Sequence, residues 1–413
     1  MSPIPNSPAS RPRKRTSTPT HQQPTFVTRN GRKFYNDETS PYPLPCDVKE
    51  MSRQALWHEL HREVYGSYSN IDWQSEKIPS KVLELGCGSA IWSASMADYF
   101  ASLGHPNVEF TGLDVVQSYT DMKNVNFKFV KHSILIVPLP FEDNTFDYIM
   151  SRDMMLAAPT HSMYTGIMAE LIRVLKPGGF VEVQCNDFVI RTIQRTTIPY
   201  ANKVGTYDIS SSVQLSSNSE NPFIQQWNEK IQKAFLARNL PPVPCTVIGP
   251  VLVQEDSVIG VQTKRLALPL DSIWWESASD SASETSSSDC SRRRSTGESS
   301  LESLSGPPKQ QFRKRRGSAA QSHHYSTRRS STSADSYMSP LNEEERAVRH
   351  LGKLAFVQLI EALEGILREH NDMDLDEWDS WYRDLMWNWF EGQGLRGGEC
   401  LEFGAWWGRK SPE

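Results

Sequence analysis

The sequence predicts a doubly wound α/β domain, in which parallel strands alternate with helices, and three observations support this prediction. The apolar run from Val82 to Leu85 leads into a glycine turn at Gly86 and Gly88 and then into a helical pattern. A second apolar run ends in Asp114. A helical stretch over residues 161–175 closes with Lys-Pro-Gly-Gly and leads into a further apolar run. In open sheets of this kind, ligands bind at the carboxyl ends of the strands.

The glycine turn is the predicted cofactor site. Glycine is needed at Gly86 and Gly88 because the backbone has to turn sharply and admit a ligand where a Cβ would stand in the way. Asp114 comes thirty residues after Glu84. We therefore expect Asp114 at the tip of the neighbouring strand, where it accepts hydrogen bonds from both hydroxyls of a ribose. The alternative is that the turn is a plain connection between a strand and a helix.

Residues 1–33 are predicted to form a disordered tail. They hold seven Lys or Arg residues and no acid, together with prolines and serines. Such a composition buries too little apolar surface to fold. The basic cluster from Arg11 to Arg15 is either a nuclear import signal or solvated charge.

The core is predicted over residues 34–276 and begins with an amphipathic helix from Asp47 to about Gly66. Apolar residues recur in this stretch at helical spacing. Tyr42, just before the helix, and Trp57, within it, are candidates for the substrate pocket. The alternative is that the helix packs on the sheet edge and contributes only core residues.

The ends of two further strands supply polar candidates at the same edge of the sheet. Arg152 and Asp153 follow a predicted strand over residues 146–150, and Asn186 follows one over residues 180–184. Arg152 and Asp153 either face the cofactor or the substrate, or they form a local salt bridge. A long excursion over residues 188–221 then leads to a helix at 222–238 and a strand at 258–270.

Residues 277–340 are predicted to be a disordered insertion. About a third of them are serine, and no apolar periodicity is present. Serines that follow basic clusters, as at Ser295, Ser318 and Ser330, are candidate kinase sites. The alternative is a passive spacer.

Residues 341–413 are predicted to complete the core with a helix pair and a last strand. Asn342 is a good N-cap before three glutamates, and Asp374 with Glu377 forms a capping-box pattern. The aromatic stripe of the second helix is expected to pack rather than to form a substrate cage. The last strand is predicted over residues 400–407.

Together these motifs resemble class I S-adenosylmethionine-dependent methyltransferases, and among them the LaeA-like fungal group. The residues that carry the resemblance are Glu84 to Ala90, Asp114, Leu175 to Gly179, Tyr42 to Asp47, Trp92 and Gly408 to Lys410. The resemblance implies a Rossmann-like sheet of seven mostly parallel strands, in which the last strand inserts antiparallel between the fifth and the sixth. It also implies that the leading helix lies over the mouth of the cofactor site.

The cofactor implied by the resemblance is S-adenosylmethionine. Its methionine end would be held by Glu84, Gly86, Cys87 and Gly88 and its ribose by Asp114. Arg152 is a further cofactor candidate, with the alternatives given above.

The chain departs from the family pattern at two places. Ala90 stands where a third glycine is usual, and we expect it to lie already in the helix. It also argues against a dinucleotide dehydrogenase, whose glycine would fall at Ile91. The usual acid for the adenine amino group is replaced by His132 and Ser133, so adenine would be held by a hydroxyl, an imidazole or backbone groups.

Composition excludes several classes of protein. The tail and the insertion carry net positive charge, so the remaining chain is more acidic than the total of −5 and is a poor surface for nucleic acid. The six cysteines lie far apart, without zinc or disulfide spacing, and no metal is predicted. No apolar run of about eighteen residues and no secretory signal is visible, so we expect an intracellular protein, cytoplasmic or nuclear.

The predicted function is methyl transfer to an unidentified small molecule or protein side chain. The alternative is a weakly active or inactive methyltransferase-like scaffold that acts as a regulatory binding protein. The Asn-Pro-Pro-aromatic motif of enzymes that methylate amino groups of bases or glutamine is absent from the sequence. No residue is identified from the sequence as a catalytic base.

Overall fold

A computed structural model of the chain describes residues 25–37, 40–118, 122–158, 161–195, 204–210, 213–276 and 341–412. The chain divides into two compact units, residues 1–274 with 341–413, and residues 275–340. The second unit is described only at Trp275 and Glu276. The predictions for the tail up to residue 24 and for the insertion at 277–340 therefore lie outside the described residues.

The described elements follow one another as strands and helices of ordinary length. In chain order they are β1 (Phe26–Arg29), β2 (Arg32–Tyr35), α1 (Val48–Tyr65), β3 (Lys81–Leu85), α2 (Ile91–Ser102), β4 (Glu109–Asp114), β5 (Phe127–Lys131), β6 (Phe146–Arg152), α3 (His161–Val174), β7 (Leu175–Asn186), β8 (Arg191–Arg195), β9 (Tyr207–Asp208), β10 (Val213–Ser216), α4 (Pro222–Ala237), α5 (Cys245–Val253), β11 (Val258–Pro269), α6 (Glu343–Ala362), α7 (Glu364–Asn371), α8 (Leu375–Phe390) and β12 (Glu399–Lys410).

Within the described chain, ten strands form one sheet, whose main path runs β10-β8-β12-β7-β6-β3-β4-β5. The strands β5, β4, β3, β6 and β7 are parallel to one another. The last strand, β12, runs antiparallel between β7 and β11. The predicted doubly wound fold and its antiparallel last strand are therefore confirmed. The short strands β8, β9 and β10 extend this seven-stranded core.

Both faces of the sheet are covered, which is why its central strands are apolar at successive positions. Val82 and Leu83 are both fully buried, but they point into different apolar clusters. The Val82 face is covered by α2 and, further along the sheet, by a layer formed of α1, α4, α6, α7 and α8. The Leu83 face is covered by α3 and α5. No helix of the described residues is long and apolar enough to cross a membrane.

The prediction of a disordered tail up to residue 33 is wrong for residues 26–33, which belong to the β1–β2 hairpin. Asn30 and Gly31 form its two-residue turn with φ of 49° and 73°. Two positive φ angles suit the twist of a tight hairpin, and Asn-Gly is the sequence pair that adopts them most readily. The composition of the whole tail obscured this local signal.

The prediction of a helix pair after residue 341 also needs correction, because three helices are present. The first ends at Ala362, and α7 begins after Leu363. The predicted N-cap at Asn342 and the predicted capping box of Asp374 with Glu377 both form, and Asn342 also makes a capping box with Glu345. Helix α5 was not predicted from the sequence, because its nine residues are apolar on all sides and carry no helical period.

Candidate functional site

A cavity of about 460 Å³ opens at the carboxyl ends of β3, β4, β6 and β7. Its volume lies in the range of small-molecule sites. The cavity is lined by all twelve residues that the sequence nominated: Tyr42, Trp57, Glu84, Gly86, Cys87, Gly88, Asp114, His132, Ser133, Arg152, Asp153 and Asn186. The fold thus brings the cofactor candidates and the substrate candidates to one place.

The glycine turn is fixed to the neighbouring strand by its own backbone. The amides of Gly86 and Cys87 both donate to the Leu113 carbonyl, at 2.8 and 3.2 Å. The Gly88 amide donates to the Asp114 carboxylate at 2.8 Å. The turn and the tip of β4 therefore form one rigid floor.

Glycine is favoured at this floor mainly by the backbone angle. Gly86 and Gly88 have φ of 65° and 47°, which favour glycine. A Cβ at Gly86 would collide with the Met154 side chain, and one at Gly88 would lie 2.8 Å from Gln54 Oε1. The turn keeps a concave backbone surface that a ligand can approach.

Asp114 is oriented by three backbone amides. Its carboxylate accepts from Gly88 and from Val115 and Val116, the last two at 2.7 and 3.2 Å. Burial raises its pKa, and these three hydrogen bonds oppose the rise. A carboxylate offers about four acceptor positions, so about one remains for a ligand hydroxyl.

Glu84 lies beneath the turn rather than on its surface. It is 7% exposed, and its carboxyl group accepts from the Ser93 hydroxyl at 2.6 Å and the Ser93 amide at 3.2 Å. Burial raises its pKa to about 7. Glu84 therefore joins the turn to the first turn of α2.

The expectation that Ala90 lies in the helix is wrong. Helix α2 begins at Ile91, and Ala90 precedes it with a left-handed φ of 55°. The position thus keeps the backbone conformation that a third glycine would adopt easily, and an alanine adopts it at a cost of about 1–2 kcal/mol.

The two residues expected at an adenine ring are already engaged locally. The His132 ring is hydrogen-bonded through Nε2 to the Ile136 carbonyl at 2.9 Å. The Ser133 hydroxyl oxygen accepts from the Leu135 amide at 3.3 Å. Because the Ser133 oxygen acts as an acceptor in this bond, its hydroxyl hydrogen can still be donated to a nitrogen of the adenine ring.

The other end of the cavity combines aromatic walls with charge. Trp57 and Phe188 are 5% and 3% exposed, and both line the cavity together with Tyr42. Burial raises the Asp153 pKa to about 6, against the opposing effects of Arg152 and Arg53. The Arg152 guanidinium donates to His58 Nδ1 at 3.3 Å, which orients it. A carboxyl group of this pKa can exchange a proton near neutral pH.

Helix α1 contributes cavity residues that the sequence reasoning missed. Glu50, Arg53 and Gln54 line the cavity. Glu50 and Arg53 form a buried ion pair at 2.7 Å, and Gln54 accepts from the Ser89 amide of the glycine turn at 3.0 Å. The available signal was a set of polar residues at helical spacing on the same face as Trp57. Such a pattern indicates a helix whose buried face looks partly into a polar cavity.

A second buried cluster lies on the face of the sheet that α3 and α5 cover. Oxygen and sulfur atoms of Asp187, Cys245 and Glu402 lie within 4.8 Å of one another. Arg191 forms ion pairs with both carboxylates, and Arg265 pairs with Glu402. Burial raises the Cys245 pKa well above its usual value, so the thiol stays protonated. The two arginines neutralise the two acids, and we assign this cluster to fold stability rather than to a metal.

Residues 82–179 match a family model described as a methyltransferase domain. The secondary metabolism regulator laeA of Aspergillus niger is 26% identical over 171 residues, which cover 41% of this chain and 43% of that protein. The demethylmenaquinone methyltransferase of Staphylococcus haemolyticus is 32% identical over 109 residues, which cover 25% of this chain and 43% of that protein.

The chain therefore spans less than half of the length of these two relatives. Among solved structures, the YcgJ protein of Bacillus subtilis has a TM-score of 0.35 at 14% identity, covering 85% of this chain and 99% of that one. The family match contains the glycine turn and Asp114. The predicted resemblance to class I S-adenosylmethionine-dependent methyltransferases of the LaeA-like group is confirmed by the family match and the relatives.

Proposed function

We propose that this chain, whose residues 82–179 match a methyltransferase domain, transfers a methyl group from S-adenosylmethionine to a small organic acceptor. The observation that carries the proposal is the cavity of about 460 Å³, which joins the glycine turn and Asp114 at one end to aromatic walls and Asp153 at the other. A donor and an acceptor can lie end to end in such a space.

The residues present fit the cofactor. Gly86 and Gly88 leave the concave floor that a Cβ would fill, and Asp114 retains an acceptor position for a ribose hydroxyl. Glu84 would support the methionine end through the turn, with Cys87 beside it, while His132 and Ser133 would border the adenine. When bound, S-adenosylmethionine supplies an electrophilic methyl group on a positively charged sulfur.

The protein's own contribution is alignment and exclusion of water. The hairpin residues Phe34 and Tyr35 line the cavity from one side, and Trp57 of α1 lines it as well. Holding the acceptor opposite the methyl carbon converts a bimolecular encounter into an oriented one, which can supply a large part of the rate. The acceptor would lie against Tyr42, Trp57 and Asn186.

A small-molecule acceptor is favoured over a protein side chain because the hairpin, α1 and the segment after α4 all contribute residues to the cavity lining. Arg29 belongs to the hairpin, Glu50 belongs to α1, and Arg238 directly follows α4. Nucleic acid is disfavoured by the acidic charge of the chain outside its basic segments. We further propose an intracellular protein, in the cytoplasm or the nucleus, with kinases as candidate partners of the serine-rich segment.

The second candidate function is regulatory binding without catalysis. It is favoured by one specific observation, namely that curated relatives at 25–28% identity are named secondary metabolism regulators. In that case the cavity would bind a ligand that controls a contact with a partner protein.

The test of the main proposal is a calorimetric titration of the full chain with S-adenosylmethionine. Asp114→Ala removes a charged acceptor, and loss of such a hydrogen bond weakens binding by about 10- to 100-fold. Asp98→Ala, an exposed acid on α2, is the matched control and should bind like the wild type. Absence of binding to a folded wild-type sample would refute the proposal and favour the regulatory function.

A further inference from the structure

Two histidines one helical turn apart on α1 lie behind the aromatic end of the cavity, and their hydrogen bonds assign them opposite tautomers. For His58, the partner of Nδ1 is the Arg152 guanidinium at 3.3 Å. An arginine can only donate, so His58 Nδ1 carries no proton. The proton is on Nε2, which donates to the Ser95 hydroxyl at 3.0 Å.

His61 has the reverse arrangement. The Gln184 side-chain amide donates through Nε2 to Glu182 at 2.8 Å, and this bond fixes which way the amide faces. Gln184 Oε1 is then an acceptor for His61 Nδ1 at 3.3 Å. The proton of His61 therefore lies on Nδ1, and Nε2 keeps its lone pair.

The unprotonated nitrogen of His61 is buried and faces Asp153. His61 is 2% exposed, and its Nε2 has no hydrogen-bond partner among the described residues. The nearest carboxylate oxygen, Asp153 Oδ2, lies 4.0 Å away. Two lone pairs repel when Asp153 is ionised, whereas a proton on Asp153 would turn the same pair into a hydrogen bond after a movement of about 1 Å.

Asp153 is placed to meet an acceptor beside the glycine turn. It follows β6 directly, and Ser151 of β6 pairs with Leu85, the residue before Gly86. Its backbone is left-handed, with φ of 55°, and its amide donates to the Gln184 carbonyl at 3.0 Å. A non-glycine residue in this conformation is uncommon, and such residues concentrate at functional sites.

We propose that Asp153 accepts a proton from the methyl acceptor. His61 is the positioning residue, and its Nε2 then accepts a hydrogen bond from the protonated Asp153. The acceptor is therefore a small phenol. This inference rests on the proposed function, because it names the acceptor class of the same cavity.

The acceptor's O–H bond breaks, and its proton passes to Asp153. The oxygen forms a bond to the methyl carbon, and the electron pair of the methyl–sulfur bond stays on sulfur. The positive sulfur becomes neutral, and the carboxylate becomes a carboxylic acid. His61 remains neutral throughout, as expected for a ring whose pKa burial lowers well below its usual value.

A hydroxyl acceptor explains why a base is present at all. A neutral amine can attack a methyl group first and release its proton to water afterwards, whereas a hydroxyl is a weak nucleophile until its proton is removed. The planar ring of a phenol suits the aromatic walls formed by Trp57, Tyr42 and Phe188.

The groups that face Asp153 come from its own strand, from α1 and from β7. They include Arg152, Arg53, Trp57, His61 and the backbone amide of Asn186, and the hydroxyls of Tyr42 and Tyr65 also interact with the carboxylate. The two arginines favour the carboxylate and burial disfavours it, with burial the larger effect. Because a base works only when ionised, methyl transfer should rise with pH to a plateau above about 6.

The first test is a long-range ¹H–¹⁵N spectrum of the ¹⁵N-histidine-labelled full chain between pH 5 and 8. We expect His61 to carry its proton on Nδ1 and His58 on Nε2, with the His61 Nε2 signal moving as Asp153 titrates near pH 6. The His58 signals are the internal control. A proton on His61 Nε2, or an Nε2 signal that is constant over this pH range, would overturn the proposal.

Asp153→Asn should abolish the movement of the His61 signal while S-adenosylmethionine binding stays within about threefold. Gln184→Met should remove the acceptor that holds the proton on His61 Nδ1, so the His61 ring should populate both neutral tautomers. If Asp153→Asn does not fold, the wild-type spectrum still tests the proposal, because it reports the His61 tautomer and the Asp153 titration in the unmodified protein. No cofactor binding by the wild type would refute the proposed function instead.

The acceptor class is tested with labelled S-adenosylmethionine and two sets of probes. The phenols are catechol and 4-hydroxybenzoate, and the amines are benzylamine and aniline. We expect transfer to a phenol, reduced at least about 100-fold in Asp153→Asn and at least about 10-fold in His61→Phe. Transfer to an amine, or to no phenol despite intact cofactor binding, would overturn the phenol assignment.

Discussion

The carboxyl group of Glu84 shows how one residue links the site to the stability of the protein. It is 7% exposed, it accepts hydrogen bonds from the Ser93 hydroxyl and amide, and burial raises its pKa to about 7. The folded state therefore holds a proton on Glu84 between about pH 4.5 and 7, where the unfolded chain does not. Stability from this group is present at low pH and is lost as pH rises through that window.

Replacing Glu84 by Gln should flatten this pH dependence. A shift from 4.5 to about 7 corresponds to about 3 kcal/mol, so Glu84→Gln should be more stable than the wild type at pH 8 by up to about 3 kcal/mol and similar to it at pH 5. Urea denaturation at both pH values measures this. Glu142→Gln, an exposed acid, is the control. Equal pH dependence in wild type and Glu84→Gln would contradict the assignment.

At the scale of single residues, Asp153 and His61 show what the sequence could not supply. Asp153 was nominated because it follows a strand at the ligand edge. Its partner His61 lies ninety-two positions earlier, and Gln184, which sets the tautomer, lies on a third element. A hydrogen-bond chain of this kind exists only after α1, β6 and β7 have packed together.

Among the elements, the β1–β2 hairpin is linked to helix α1 by Asp47. Asp47 accepts two hydrogen bonds from the Arg32 guanidinium, at 2.7 and 2.9 Å, and caps α1 through the Glu50 amide at 3.0 Å. Arg32 is the main cause of the lowered Asp47 pKa, which is about 2. The hairpin carries Phe34 and Tyr35, which line the cavity.

Arg32→Ala should loosen the hairpin without unfolding α1, because Asp47 keeps its capping bond. A half-buried, bidentate ion pair contributes about 1 kcal/mol. The amides of residues 26–35 should therefore exchange with deuterium about fivefold faster in Arg32→Ala than in the wild type. Hydrogen exchange followed by mass spectrometry measures this. Lys49→Ala, which removes the exposed pair with Glu361, should leave the hairpin unchanged. Unaltered exchange in Arg32→Ala would show that other contacts hold the hairpin.

At the scale of the whole molecule, the chain leaves the first unit after Trp274 and re-enters it at Leu341. Contacts between residues near the two ends link them. Arg349 and Lys353 of α6 bind the Asp271 carbonyl and carboxylate at 2.9 and 2.7 Å. Leu341 lies about 12 Å along the chain from Arg349, given 1.5 Å per helical residue. A short connection can therefore join them.

Replacing residues 277–340 by a flexible linker of about ten Gly and Ser residues should leave the first unit folded, since such a linker spans about 17 Å. We expect the melting temperature to change by less than about 3 °C, measured by calorimetry, and S-adenosylmethionine affinity to be unchanged. As a control, Lys353→Ala should lower the melting temperature, because it breaks one of the two contacts to Asp271. A fall of about 10 °C on linker replacement would show that the segment stabilises the core.

The sequence by itself determined the sheet, the glycine turn and the cofactor end of the cavity. These follow from local rules: apolar runs of strand length, glycines where the backbone needs positive φ, caps such as Asn342 and Asp374, and the rule that parallel strands end at one edge. Twelve nominated residues reached one cavity because each follows or faces such an edge.

Only the tertiary structure decided how the polar groups pair. Four sets of contacts join residues from different elements. They are the Arg32–Asp47 ion pair, the Gln54 hydrogen bond to the glycine turn, the arginine ion pairs with Asp187 and Glu402, and the hydrogen bonds that set opposite tautomers for His58 and His61. The hydrophobic pattern selects a fold by period and length, whereas a hydrogen bond depends on distances of a few tenths of an ångström between groups that are remote in sequence. That is why the site's location could be predicted from the sequence, and its proton chemistry could not.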